Sequence, residues 1–86
     1  MDKLFKALAD PNRRKIIQLL KKQDMSVTDL LGSFDFTQAS LSHHLDILKR
    51  AGLVATERRG QFIIYSLNTS VFEETAAAFF DLFGKK

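Results

Sequence analysis

Between Thr37 and His44 the chain gathers Thr37, Gln38, Ser40, Ser42, His43 and His44. Side chains of these types suit the edges of base pairs. Gln can bond adenine through two hydrogen bonds, Ser and His are less selective donors and acceptors, and Ala39 suits contact with a thymine methyl. Further along, Arg58-Arg59-Gly60-Gln61 brings two guanidinium groups to one short turn. Arginines there suit phosphates or a narrow minor groove. The plainer alternatives are a solvated polar helix face and a charged turn that keeps a hairpin soluble.

Other chemistry is poorly supplied. Ser42 and His43 are adjacent, and neighbours on a helix diverge by about 100°, so they are not a nucleophile–base pair. The same divergence makes His43 and His44 a poor chelate, and there is no cysteine or third histidine to complete a metal site. No Gly-rich phosphate loop is present, and no His, carboxylate and nucleophile stand at a telling spacing. We therefore expect no catalytic residue, no metal and no cofactor. His43 projects away from the leucines of its segment and is expected to contact DNA. His44 lies three residues after Leu41 and is expected mainly to pack, with backbone or phosphate as its polar partner.

The elements that must position these residues follow from periodicity. Leu4, Phe5 and Leu8 mark a first helix over 2–9. Asp10-Pro11 breaks it and opens a second, which carries Ile16, Ile17, Leu19 and Leu20. Ser26 followed by Asp29 is a variant capping box before Val27, Leu30 and Leu31. Thr37 is the next cap candidate, with Leu41, Leu45 and Leu48 at i, i+4 and i+7 behind it and Gly52 as the stop. If those leucines face inward, Gln38, Ala39, Ser42, His43 and Asp46 face outward. From Leu53 the period changes to that of two strands, 53–58 and 61–67, with Arg59-Gly60 at the turn and Gly60 free to take positive φ. Thr69 or Ser70 is expected to cap a last helix over 69–83.

The expected fold is therefore mainly α with one small β-hairpin, in the order ααααββα. It is a winged helix-turn-helix, with the helix-turn-helix at 26–51, a recognition helix at 37–50 and a wing at 53–67. Eighty-six residues suit a single domain, 1–86, without repeats or linkers. A net charge of +3 and a pI near 9.5 mildly favour a polyanionic partner. Arg13, Arg14, Lys15, Lys49, Arg50, Arg58 and Arg59 fall near the elements expected to meet DNA. The N-terminus does not read as a secretory signal and no apolar run reaches the length of a membrane span. No membrane insertion and a cytoplasmic location are expected.

The last helix carries more apolar surface than one core stripe needs. Phe72, Ala76, Phe79, Phe80 and Phe83 form one broad face, widened by Val71, Ala78 and Leu82. A homodimer interface shared with Leu4, Phe5 and Leu8 is the expected use, since two half-sites in DNA call for a two-fold partner. An aromatic pocket for a small hydrophobic ligand is the rival. A winged helix that docks a protein instead of DNA is a further alternative.

Three stretches, LADPNRRKIIQLL (8–20), SLSHHLDILKRAGLV (40–54) and ERRGQFIIYSLN (57–68), give the chain a resemblance to the ArsR/SmtB family of bacterial winged-helix repressors. The resemblance covers nearly the whole chain. It implies a dimer joined by the first and last helices and a double-stranded DNA operator. It places recognition-helix positions at Gln38, Ser40, Ser42 and His43 and the wing tip at Arg58, Arg59 and Gly60. Many members of the family sense metals or thiols. Their helix-three site uses cysteines, whereas this chain has Val27-Thr28-Asp29-Leu30; their last-helix site uses histidines, and Thr69 to Phe83 contains none. The short chain without those ligands resembles the SdpR-like branch, autorepressors lacking an obvious inducer site. In that branch repression can be relieved by another protein, which is the partner the resemblance implies.

Overall fold

The computed structural model describes residues 2–82. The helices after the first begin where a short polar side chain takes over the first free N–H groups. Helix α1 spans Asp2–Leu8 and α2 spans Pro11–Lys22. Asp10 caps α2, its Oδ1 accepting from the N–H of Asn12 at 2.7 Å and of Arg13 at 3.3 Å. Helix α3, Val27–Gly32, opens with a reciprocal capping box. The Asp29 N–H donates to Ser26 Oγ at 3.0 Å and the Ser26 N–H to Asp29 Oδ2 at 3.3 Å. Helix α4, Gln38–Arg50, is capped by Thr37, whose Oγ1 accepts from the Ser40 N–H at 3.1 Å.

The end of α4 is equally determined. Gly52 takes φ +81, and its N–H returns to the Lys49 carbonyl while that of Leu53 returns to Leu48, both at 3.0 Å. This pair of bonds is the Schellman arrangement, which favours glycine at the left-handed position. The chain then enters β2, Val54–Arg59, and β3, Phe62–Leu67, joined through Gly60 and Gln61 with Gly60 at φ +60. In this hairpin Arg59 pairs with Phe62 and Arg58 with Ile63, so both arginines stand on the last rungs before the turn.

Two details depart from the expected order. A two-residue strand β1, Met25–Ser26, pairs with β3 and converts the hairpin into a three-stranded antiparallel sheet ordered β1-β3-β2. Helix α5, Thr69–Leu82, is capped by Asn68 rather than by Thr69 or Ser70. Asn68 Oδ1 accepts from the Val71 N–H at 3.4 Å, and its carbonyl accepts from the Phe72 N–H at 3.0 Å.

The core lies between α2, α3, α4 and the base of the sheet. Ile16, Leu30, Leu41, Leu48 and Leu53 are fully enclosed, with Ala7 of α1 and Val54 of β2 beside them. Burying each of the large aliphatic side chains contributes about 1.5–3 kcal/mol. The same residues orient the helix-turn-helix, because Leu30 comes from α3 and Leu41 and Leu48 from α4. Among the described residues no helix is long and apolar enough to cross a membrane.

Candidate nucleic-acid interface

Helix α4 separates its two faces cleanly. Leu41, His44, Leu45 and Leu48 are buried, whereas Gln38, Ala39, Ser42, His43 and Asp46 are exposed and Ser40 is half-exposed. Thr37 is exposed at the cap. The polar side chains therefore cluster on the outer face at the N-terminal end of the helix. A recognition helix enters a major groove by that end. Toward its C-terminal end the same face carries an exposed ion pair, Asp46 Oδ2 to Arg50 Nε at 3.0 Å.

The turn between α3 and α4 is held by aromatic rings. Phe34 and Phe36 stack with centroids 4.7 Å apart, and Phe36 tilts against His44 at 5.4 Å. His44 is 7% exposed. Burial pushes its imidazole below the ordinary value, helped by the charges of Arg13 and His43 and opposed by Asp10. His44 is thus a packing residue, and its polar partner is the guanidinium of Arg13 rather than backbone or phosphate, with Arg13 Nη1 lying 3.3 Å from His44 Nδ1.

The guanidiniums of Arg13 and Arg14 are both taken up by the end of α1. Arg13 turns inward, donating from Nε to the Ala7 carbonyl at 2.7 Å and from Nη2 to the Lys6 carbonyl at 3.2 Å. Arg14 Nη1 donates to the Leu8 carbonyl at 2.7 Å. Both guanidiniums satisfy the last carbonyls of α1, where helical partners run out and positive charge is favoured. A signal was present in the sequence: Arg13 stands three and four residues before Ile16 and Ile17, on the inward stripe of α2.

At the wing, Arg58, Arg59, Gly60 and Gln61 are all exposed. Arg58 Nε bends to the Gly60 carbonyl at 3.3 Å. Arg59 Nη2 pairs with Glu57 Oε1 at 3.2 Å, and the hydrogen bond and charge of that carboxylate raise the arginine's pKa further. Phe62 and Ile63, opposite the two arginines, are 48% and 37% exposed.

The aromatic face of α5 lies beside α1 and α2. Phe72 is half-buried, with Lys21 Nζ 5.5 Å from its ring centre. Leu4, Phe5, Leu8 and Ala76 are half-buried, whereas Phe79 and Phe80 are 50% and 63% exposed. Phe83 lies outside the described residues. Thr75 is the fully buried residue of α5, its hydroxyl donating to the Val71 carbonyl at 2.8 Å. Phe5, Leu8, Ile17, Phe72, Thr75, Ala76, Phe79 and Phe80 line an apolar groove of about 620 Å³ between α1, α2 and α5. Among the described residues no three of His, Cys, Asp or Glu come together in a group fit to hold a metal ion.

Comparison with known proteins agrees with this arrangement. Residues 10–56 match the family described as bacterial regulatory protein, arsR family. The transcriptional repressor SdpR of Bacillus subtilis (strain 168) is 49% identical over 75 residues, covering 87% of this chain and 83% of SdpR. The uncharacterized HTH-type transcriptional regulator Rv0081 of Mycobacterium tuberculosis (strain ATCC 25618 / H37Rv) is 45% identical over 64 residues, 73% of this chain but 56% of the relative. The chain thus spans most of SdpR and only about half of Rv0081. The crystal structure of Rv0081 superposes with a TM-score of 0.76 at 40% identity, covering 91% of this chain and 80% of that one. An ArsR-like transcriptional regulator from Rhodococcus sp. RHA1 superposes with a TM-score of 0.87 at 25% identity, covering 98% and 77%. With its five helices, wing and helix-turn-helix, this chain belongs to the ArsR family of bacterial transcriptional regulators, which are not enzymes.

Proposed function

We propose that the protein is a dimeric repressor of transcription that binds a pseudo-palindromic operator in double-stranded DNA. One observation carries this reading: the N-terminal turns of α4 expose Gln38, Ser42 and His43 over a base of buried Leu41, His44, Leu45 and Leu48. The recognition helix, 37–50, enters the major groove and reads base edges through Gln38, Ser40, Ser42 and His43, with Thr37 at its tip near the backbone. Arg58, Arg59 and Gly60 carry the wing to the flanking minor groove or its phosphates. Similarity to SdpR, itself a transcriptional repressor, supports repression as the outcome. A bacterial repressor of this kind acts in the cytoplasm, and a protein that relieves repression is a further expected partner.

The dimer forms through α1 and α5, with Leu4, Phe5, Leu8, Phe72, Ala76, Phe79 and Phe80 in the interface; Phe83, expected there from the sequence, lies outside the described residues. Exposed phenylalanines beside an apolar groove support this use of the surface. Burial of several Phe side chains, at about 1.5–3 kcal/mol each, offsets the cost of association. The same groove supports a second reading, in which a small hydrophobic molecule enters the interface and gates DNA binding.

A mobility-shift titration with the double variant Ser42→Ala/His43→Ala tests the assignment of the base-reading face. Each side chain that bonds a base edge should, on removal, lower discrimination between a selected operator and random DNA by about 1–3 kcal/mol. Unchanged discrimination would remove these residues from the reading face.

A further inference from the structure

The guanidinium of Arg13 joins three helices at one point. It belongs to α2, it satisfies the Ala7 and Lys6 carbonyls of α1 at 2.7 and 3.2 Å, and its remaining arm meets His44 of the recognition helix at 3.3 Å. Arginine has donors only and stays charged. His44 Nδ1 must therefore present its lone pair, so the imidazole is neutral with its hydrogen on Nε2. We propose that Arg13 and neutral His44 are a positioning couple, which holds the recognition helix α4 against the α1–α2 corner and releases it when His44 gains a proton.

A proton on Nδ1 would turn the acceptor into a donor aimed at another donor. It would also set two positive charges against each other where the imidazole is 7% exposed and its charged form is poorly solvated. The charged groups acting on His44 are Asp10 and Arg13 at the start of α2 and His43 on its own helix; Phe36, from the turn, covers the ring and is uncharged. Lys3 and Lys6 of α1 and Arg50 of α4 line a pocket with Arg13, and His44 does not line it. Asp10 alone favours the imidazolium, and its carboxylate is already engaged by two N–H groups. Burial and the two cationic neighbours prevail, so the imidazole is depressed below its ordinary 6.5. The sign follows. A folded imidazole with a depressed pKa contributes its full stabilisation above about 6.5 and loses it as pH falls toward the folded value.

The consequence reaches DNA because α4 carries the proposed reading face, so this inference rests on the DNA-binding reading. Affinity for the operator should fall with acidification, by up to about tenfold per pH unit below the folded pKa of His44, the limit for one linked proton. Comparison with a variant that lacks the imidazole of His44 isolates this group from every other.

The experiment measures binding to a duplex selected from a random pool, by fluorescence anisotropy from about pH 8 to about pH 5, for the wild type and for His44→Asn. Asn Oδ1 stands where Nδ1 stood and does not titrate. The wild type should lose affinity at low pH and His44→Asn should hold it. The same acid profile in both proteins would overturn the couple. If neither protein binds the selected duplex at any pH, the DNA-binding reading itself fails. The free wild-type protein then still decides the couple through the ring-nitrogen NMR signals of His44. An unprotonated Nδ1 near neutral pH and a titration below 6.5 support it, whereas a hydrogen on Nδ1 overturns it.

Discussion

Phe5 of α1 and Phe79 of α5 meet with ring centroids 6.2 Å apart and planes inclined by 56°. The contact ties the first and last helices together within one chain, yet Phe79 remains half-exposed and Phe80 more so. The rings thus form a prepared edge of apolar surface rather than a closed core.

Phe80→Asp is the direct test of that edge. The side chain is 63% exposed in the single chain, so its replacement should change folding stability by no more than about 0.5 kcal/mol. In a two-fold interface the substitution acts twice, at about 1.5–3 kcal/mol for each Phe. The dimer should weaken by about 10²–10⁴-fold, and operator affinity should fall with it. Sedimentation velocity reads the association and circular dichroism confirms the fold. A variant that stays dimeric at the wild-type concentration would move the interface elsewhere.

Gln38 tests base reading at a single side chain. It is exposed on the first turn of α4, and its side chain makes no hydrogen bond among the described residues. Gln38→Ala should leave the unfolding midpoint near that of the wild type. Its cost should appear as a loss of about 1–3 kcal/mol of discrimination at a single base position. Competitive binding to a set of singly substituted operators reads this directly. A uniform loss across all of them would mean that Gln38 touches the backbone.

The faces of α4 were legible because one physical requirement, burial of Leu41, Leu45 and Leu48, determines the direction of every other side chain on a rigid helix. Gly52 and the capping residues Asp10, Ser26 and Thr37 were legible for a similar reason, since each satisfies backbone groups within a few residues of itself. What was hidden depends on distant partners. Met25 and Ser26 form a strand only because the edge of β3 is there to pair with them. Thr69 and Ser70 were the expected caps of α5, but the end of the hairpin places Asn68 at that position instead. Arg13 looked like surface charge because charge suggests water, but the carbonyls at the end of α1 offered it a better partner.

The wing offers a prediction that turns on a carboxylate. Glu57 holds the Arg59 guanidinium at 3.2 Å and also places a negative charge beside the surface proposed to approach phosphate. Arg59→Ala should weaken binding to operator and random DNA alike and reduce the salt slope by about 1. Glu57→Gln should act oppositely, freeing the arginine and steepening the logarithmic salt dependence by up to about 0.9, the worth of one phosphate contact. Titrations over a range of salt concentrations separate the two variants. If both leave the slope unchanged, the wing tip does not reach the backbone.

Asp10 connects helix capping to acid stability. Burial raises its carboxyl pKa, but the N–H groups of Asn12 and Arg13, with the charge of Arg13, outweigh this and bring it below the ordinary 3.8. A depressed carboxylate stabilises the fold above its unfolded pKa, and that contribution disappears as pH falls through the folded value. Asp10→Ala should cost about 0.5–2 kcal/mol at neutral pH through loss of the cap. Asp10→Asn keeps a capping oxygen without a titrating group, so it should retain most of the neutral-pH stability and lose less than the wild type on acidification below about pH 4. Denaturant unfolding at a series of pH values reads both effects. Equal acid sensitivity in Asp10→Asn and the wild type would assign the loss to other carboxylates.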